Sequence, residues 1–129
     1  MMNAKSDSLS FTLIQTDIVW EEKEKNLEHY TKLLEAITGP KEIVVLPEMF
    51  STGFSMDAER LAEGMDGATL SWMRDTAAKH KIILTGSLII IEGEKYFNRL
   101  VWMQPDGQYY TYDKRHLFGY AEEDSHYSA

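Results

Sequence analysis

The sequence contains no cysteine, which excludes disulfides, thiolate metal sites and a thiol nucleophile drawn from these 129 residues. Proline occurs only three times, and no repeat or low-complexity tract breaks the chain. Positive charge is scarce: 13 Lys and Arg stand against 21 Asp and Glu, a net charge of −8. Such a chain is poorly suited to gripping phosphates, so no nucleic-acid partner is expected. Long hydrophobic runs are missing as well. The most apolar stretch, Ile82 to Ile91, is interrupted by Thr85, Gly86 and Ser87 and falls well short of the roughly 18 residues that cross a bilayer. Met1 to Ser10 are polar and hold no apolar segment of the secretory kind. No membrane partner is expected, and a cytoplasmic location is.

What is present suits one globular domain, with 43% hydrophobic and 26% charged residues. Residues 1–9 read as a loose lead-in and 10–129 as the domain. A first strand is expected from Ser10 to Ile18, with Phe11 and Leu13 facing one way and Thr12 and Ile14 the other. Leu27, Tyr30, Leu33, Leu34 and Ile37 then form the apolar stripe of a helix over Glu21–Ile37, stopped by Gly39-Pro40. Ile43-Val44-Val45-Leu46 shows no alternation, as expected of a strand buried on both faces. A short helical patch near Glu59–Glu63 and a helix over Thr69–His80 follow, the latter with Leu70, Met73 and Ala77 inward. Ile82–Ile91 reads as another buried strand, Tyr96–Met103 as its hairpin partner, and Tyr109–Asp113 as a last strand after the Pro105-Asp106-Gly107 turn. The order β-α-β-α-β-β-β is that of an α/β layered fold.

Two places invite chemistry. Glu48 stands directly after an apolar strand and Pro47, and functional groups in open α/β sheets gather beyond the carboxyl ends of strands. A carboxylate partly withdrawn from water there suits general-base work, although a turn carboxylate capping the next loop occupies the same position. Lys114 ends another strand within Tyr112-Asp113-Lys114-Arg115-His116-Leu117-Phe118. Near a carboxylate a lysine is an electrostatic clamp for an oxyanion; alone, it is a solvated surface residue. His116, Glu122, Glu123, Asp124 and His126 open a metal-binding reading, but their spacing matches no helical metal motif. His29 and His80 are expected to be exposed. Gly64, Gly67 and Gly86 fit no phosphate-cradling loop, and no cofactor is expected.

Leu46-Pro47-Glu48-Met49-Phe50-Ser51-Thr52-Gly53-Phe54 resembles the first catalytic motif of the carbon–nitrogen hydrolase (nitrilase) superfamily, in the form found in its omega-amidase branch. Tyr112 to Phe118 resembles the second motif, and Asn98 and Pro105-Asp106-Gly107 between them also fit. The resemblance implies a four-layer α-β-β-α sandwich, of which this chain would be the N-terminal half. It implies a Glu-Lys-Cys triad with Glu48 as general base, Lys114 as oxyanion stabiliser, and Glu123, ahead of its neighbour Glu122, as a further glutamate. Arg115, His116 and Phe118 would flank the pocket. The expected substrate is a small-molecule omega-amide similar to 2-oxoglutaramate. The triad's cysteine is missing, so the chain alone is expected to be inactive, and either self-association or a C-terminal half supplying the cysteine is expected. The competing expectations are a fragment acting only as a folding or binding partner and a metal-binding module built on the acidic tail.

Overall fold

The computed structural model describes residues 8–129. Of the expected lead-in, residues 1–7 lie outside the described residues. Five strands form one sheet in sequence order: β1 (Phe11–Leu13), β2 (Ile43–Val45), β3 (Ile83–Glu92), β4 (Lys95–Met103) and β5 (Tyr109–Asp113). β1, β2 and β3 run parallel, while β3–β4 and β4–β5 are antiparallel. The parallel pairs are joined through α1 (Lys23–Ala36), α2 (Ala58–Leu61) and α3 (Ala68–His80). The antiparallel pairs need only tight turns. Gly93 (φ +64°) sits in the two-residue link between Glu92 and Lys95, and Gly107 (φ +88°) in the link after β4.

One face of the sheet carries the main core. Val44, Leu46, Leu84, Leu88, Ile90, Val101 and Met103 point toward the helices and pack with Tyr30 and Leu34 of α1 and Leu70, Met73 and Ala77 of α3. The stripes expected on both helices are therefore the faces that they bury. Tyr30 also donates its hydroxyl to the Phe50 carbonyl (2.8 Å), and burial pushes its pKa up to about 12.

The opposite face is uncovered along β1, β4 and β5. Phe11, Leu13, Leu100, Tyr110 and Tyr112 are all exposed on it. On β2 and β3 the same face is buried at Ile43, Thr85, Ser87 and Ile89, and Met49, Ala58, Leu61 and Tyr127 pack together with Ile89. One helix layer and one sheet layer of the expected sandwich are thus present. No helix among the described residues is long and apolar enough to cross a membrane.

Several boundaries differ from expectation. The first strand is three residues long rather than nine. After the Ile14 N–H reaches the Val45 carbonyl (2.9 Å), the chain leaves the sheet, and Asn26 ties down both the N–H and the carbonyl of Val19 (2.7 Å each). α1 starts at Lys23 because Glu21 adopts φ +58° and donates its N–H to Thr52. A last helical turn, α4 (Glu123–His126), follows a 3-10 turn over Gly119–Ala121 and was not anticipated. His29 and His80, expected to be exposed, are half-buried; His29 shares a 2.8 Å hydrogen bond with Thr16.

Candidate active site

The segment after β2 is tied to β3 at Thr85, whose carbonyl accepts the Leu46 N–H (2.8 Å), and at Ser87. The Ser87 Oγ accepts the Met49 N–H (2.9 Å) and its carbonyl accepts the Phe50 N–H (3.1 Å). Met49 takes a left-handed conformation (φ +47°), and Gly53 (φ +82°) lies where a Cβ would meet the Trp20 ring at 2.9 Å. This tight turn leaves Glu48 projecting from the carboxyl end of β2.

Lys114 extends the β4–β5 ladder by one step, its N–H bonded to the Asn98 carbonyl (3.0 Å). Glu123 opens α4 right after the left-handed Glu122 (φ 63°). It is held from both sides, since Oε1 accepts the Phe118 N–H (2.6 Å) and its own N–H reaches the Phe118 carbonyl (3.1 Å). Tyr127 anchors the same turn by donating its hydroxyl to Ser55 (2.6 Å), and Ser128 donates its N–H to the Tyr96 carbonyl (2.7 Å).

These elements bring Glu48, Lys114 and Glu123 together. The Lys114 ammonium lies 2.8 Å from Glu48 Oε1 and 3.0 Å from Glu123 Oε1. The Asn98 amide nitrogen donates to Glu48 Oε1 (2.9 Å) and Glu123 Oε2 (3.0 Å). Burial alone would push the Glu123 carboxyl up, but donors from Phe118, Asn98 and Lys114 outweigh it and hold the group below the usual glutamate value. Burial likewise opposes the charge on Lys114, yet its bonds to the two carboxylates keep it above the usual lysine value.

Desolvation falls on a different carboxylate from the one expected. The Glu48 side chain is 48% exposed, whereas that of Glu123 is 0% exposed. Glu48 stands at the open side of the site; Glu123, the first residue of α4, is enclosed. Glu122, its neighbour, is exposed. A hollow of about 280 Å³ on one side of the Glu48–Lys114 pair is bounded by Ser87, Asn98, Leu100 and Tyr112. A second, of about 510 Å³, is bounded by Phe54, His116, Leu117 and Phe118. Lys114 stands 5.2 Å from the Phe54 ring centre, and Phe54 in turn packs against Phe118. Arg115 lies instead over Tyr112, 5.6 Å from the ring centre.

No three His, Asp or Glu side chains among the described residues converge to hold a metal ion, and Glu123 is committed to its three donors. The metal-binding reading of the acidic tail fails on that geometry. Sequence reasoning missed Ser87 as a tether of the Glu48 turn, and Phe54 as a wall of the second hollow. Ser87, a polar break in the apolar run Ile82–Ile91, offered a sequence signal; Phe54 offered none beyond its place in the first motif.

The arrangement pairs a solvent-accessible carboxylate with a cation held by two anions, which suits proton transfer beside a developing negative charge. The chain as a whole is similar to known proteins. The family model for carbon-nitrogen hydrolase matches residues 11–128. The chain is 38% identical over 121 residues to omega-amidase YafV of Escherichia coli K12, covering 94% of this chain and 46% of that protein. It is 27% identical to 2-oxoglutaramate amidase of Bacillus subtilis, covering 93% and 48%. Among solved structures, a CN-hydrolase superfamily protein of Xanthomonas campestris superposes with a TM-score of 0.88 at 41% identity, over 92% of this chain and 45% of that one. The chain therefore spans about half the length of the relatives it matches. On these matches and this fold, the chain belongs to the carbon–nitrogen hydrolase (nitrilase) superfamily.

Proposed function

We propose that this chain supplies the general base and the oxyanion-stabilising lysine of an enzyme that hydrolyses the terminal amide of a small omega-amide, of the 2-oxoglutaramate type, releasing ammonia. The observation that carries the reading is the Lys114 ammonium shared between the accessible Glu48 and the enclosed Glu123. In this reading the nucleophile is a cysteine on a segment that packs over the open sheet face, because the 129 residues contain none.

Glu48 takes the thiol proton as sulfur attacks the amide carbon, and Lys114 balances the negative charge that forms on the carbonyl oxygen. Collapse of the tetrahedral adduct breaks the carbon–nitrogen bond, and Glu48 returns its proton to the leaving ammonia. Water, deprotonated by Glu48, then cleaves the thioester. Glu123 keeps Lys114 charged and in place throughout, and stays ionised behind it. A bystander fragment would have no use for a lysine balanced between two carboxylates.

The test joins this chain to the remaining half of the Escherichia coli omega-amidase and follows ammonia release from 2-oxoglutaramate. Turnover is expected from the fusion, a loss of at least about a hundredfold from its Glu48→Gln form, and none above background from the chain alone. A folded but inactive fusion, or turnover by the chain alone, overturns the reading.

A further inference from the structure

Asn98 touches every member of the site. It is 2% exposed, lies on β4 opposite Ile89, and shares the sheet face from which Lys114 projects. Its backbone carbonyl receives the Lys114 N–H (3.0 Å), and its single amide nitrogen donates to Glu48 and to Glu123. The groups facing that amide are Glu48 from the turn after β2, Lys114 from the end of β5, and Glu123 from α4, with Tyr127 of the same turn behind Glu123.

We infer that Asn98 is the positioning residue of this site: its amide ties the exposed and the enclosed carboxylate to one neutral donor and so holds both against the Lys114 ammonium. The inference deepens the hydrolase reading and is argued from the chemistry of the side chain. Two carboxylates and one ammonium carry a net charge of −1, and a third group between them has narrow requirements. An Asp there adds a third negative charge in a buried place, and a Lys or Arg competes with Lys114. A Ser or Thr hydroxyl has one proton and serves one carboxylate. A primary amide is neutral and carries two protons on one nitrogen, splayed widely enough to reach two acceptors. Its orientation is fixed by the same contacts, because the reverse rotamer would aim Oδ1 at two anionic oxygens. In the observed orientation Oδ1 is buried and finds no donor among the described residues. The amide is thus held by its two donations alone, as expected of a group placed for the carboxylates rather than for general packing.

The test needs no substrate, so its outcome stays separate from that of the amidase assay. The isotopically labelled chain is titrated by NMR while the Glu123 carboxyl carbon and the Asn98 Nδ2 protons are followed. In the unaltered chain both Nδ2 protons should resist exchange and shift as the neighbouring carboxylates titrate. In Asn98→Ala, Glu123 keeps Phe118 and Lys114 as donors but loses one, and its midpoint should rise by about one pH unit, tenfold in acid constant. Asn98→Asp keeps the side-chain shape and should raise the midpoint at least as far, by adding a third carboxylate. An unmoved Glu123 midpoint in either folded variant overturns the inference. If neither variant folds, Nδ2 protons that exchange like those of a surface asparagine in the unaltered chain overturn it. An inactive fusion combined with these shifts sinks the amidase reading and leaves the role of Asn98 standing.

Discussion

The Glu48 carboxylate and the Lys114 ammonium meet at 2.8 Å across 66 residues of chain. Neither is placed by its own neighbours in sequence. Glu48 is aimed by a turn locked onto Ser87 of β3, and Lys114 by a ladder bond to Asn98 of β4. Because β3 and β4 are paired over nine residues, the two tethers are rigidly related and the ion pair inherits its geometry from the hairpin.

The charge balance makes stability depend on pH in a definite direction. Glu123 lies below its usual value when folded, so its contribution is present above the ordinary glutamate range and is lost as pH falls through the folded value. Lys114 lies above its usual value, so its contribution is complete below the ordinary lysine range and is lost as pH rises through the folded value. Lys114→Met should cost about 2 kcal/mol at neutral pH, allowing for the partial exposure of the lysine. The deficit should shrink on acidification as Glu123 takes up a proton. Urea midpoints of both chains across the acidic range check this; a deficit that grows toward low pH refutes the assignment.

How much of this was legible in the sequence depends on what each residue answers to. The buried strands around Val44 and Leu88 and the stripes on α1 and α3 announce themselves, because burial by a neighbouring layer demands apolar residues. Phe11 and Leu13 mislead for the same reason. They are apolar yet exposed, since the layer that would cover them is not among the described residues. The α4 turn has no apolar periodicity at all. It exists because Glu123 satisfies the Phe118 N–H and Tyr127 reaches Ser55, contacts that only the assembled fold supplies. Asn98 is visible as an oddity in a strand, but its bridging role depends on the registers of β3, β4 and β5 together.

Gly86 is required by close packing. A Cβ there would lie 2.8 Å from Phe50 Cδ1 and 2.9 Å from Leu46 Cβ, both in the core that feeds the Glu48 turn. Gly86→Ala should destabilise the chain by about 1–3 kcal/mol through overpacking. Gly93→Ala meets nothing within 4 Å and should cost about 1 kcal/mol, from its positive φ alone. Chemical denaturation of the two variants separates the effects, and an equal cost would show that the core yields around residue 86.

Arg99 secures the strand end from which Lys114 springs. Its Nε and Nη2 fork onto Asp113 at 2.6 and 3.0 Å, Nη1 reaches Glu92 at 3.2 Å, and the residue is 5% exposed. A lysine cannot reproduce that fork, so Arg99→Lys should lose about 1–3 kcal/mol despite keeping the charge. The expected sign is faster amide exchange at Asp113 and Lys114, and full protection in the lysine variant would show that charge alone suffices.

The exposed apolar side chains of β1, β4 and β5 favour association. Leu13 is 74% and Tyr110 62% exposed, and with Phe11, Leu100 and Tyr112 they leave apolar side chains exposed on β1, β4 and β5. Surfaces of this kind recruit other chains, and β1 also presents an unpaired strand edge. The isolated chain should therefore self-associate, its apparent mass rising with concentration in light scattering. Leu13→Glu combined with Tyr110→Lys should shift it toward monomer at unchanged thermal stability, because both side chains already stand in water and no core contact is lost. Adding the complementary half of an omega-amidase should compete with self-association, since both draw on the same face. A chain that stays monomeric at every concentration would mean that this face needs no cover, and the proposal that a cysteine-bearing layer packs over it would lose its physical basis.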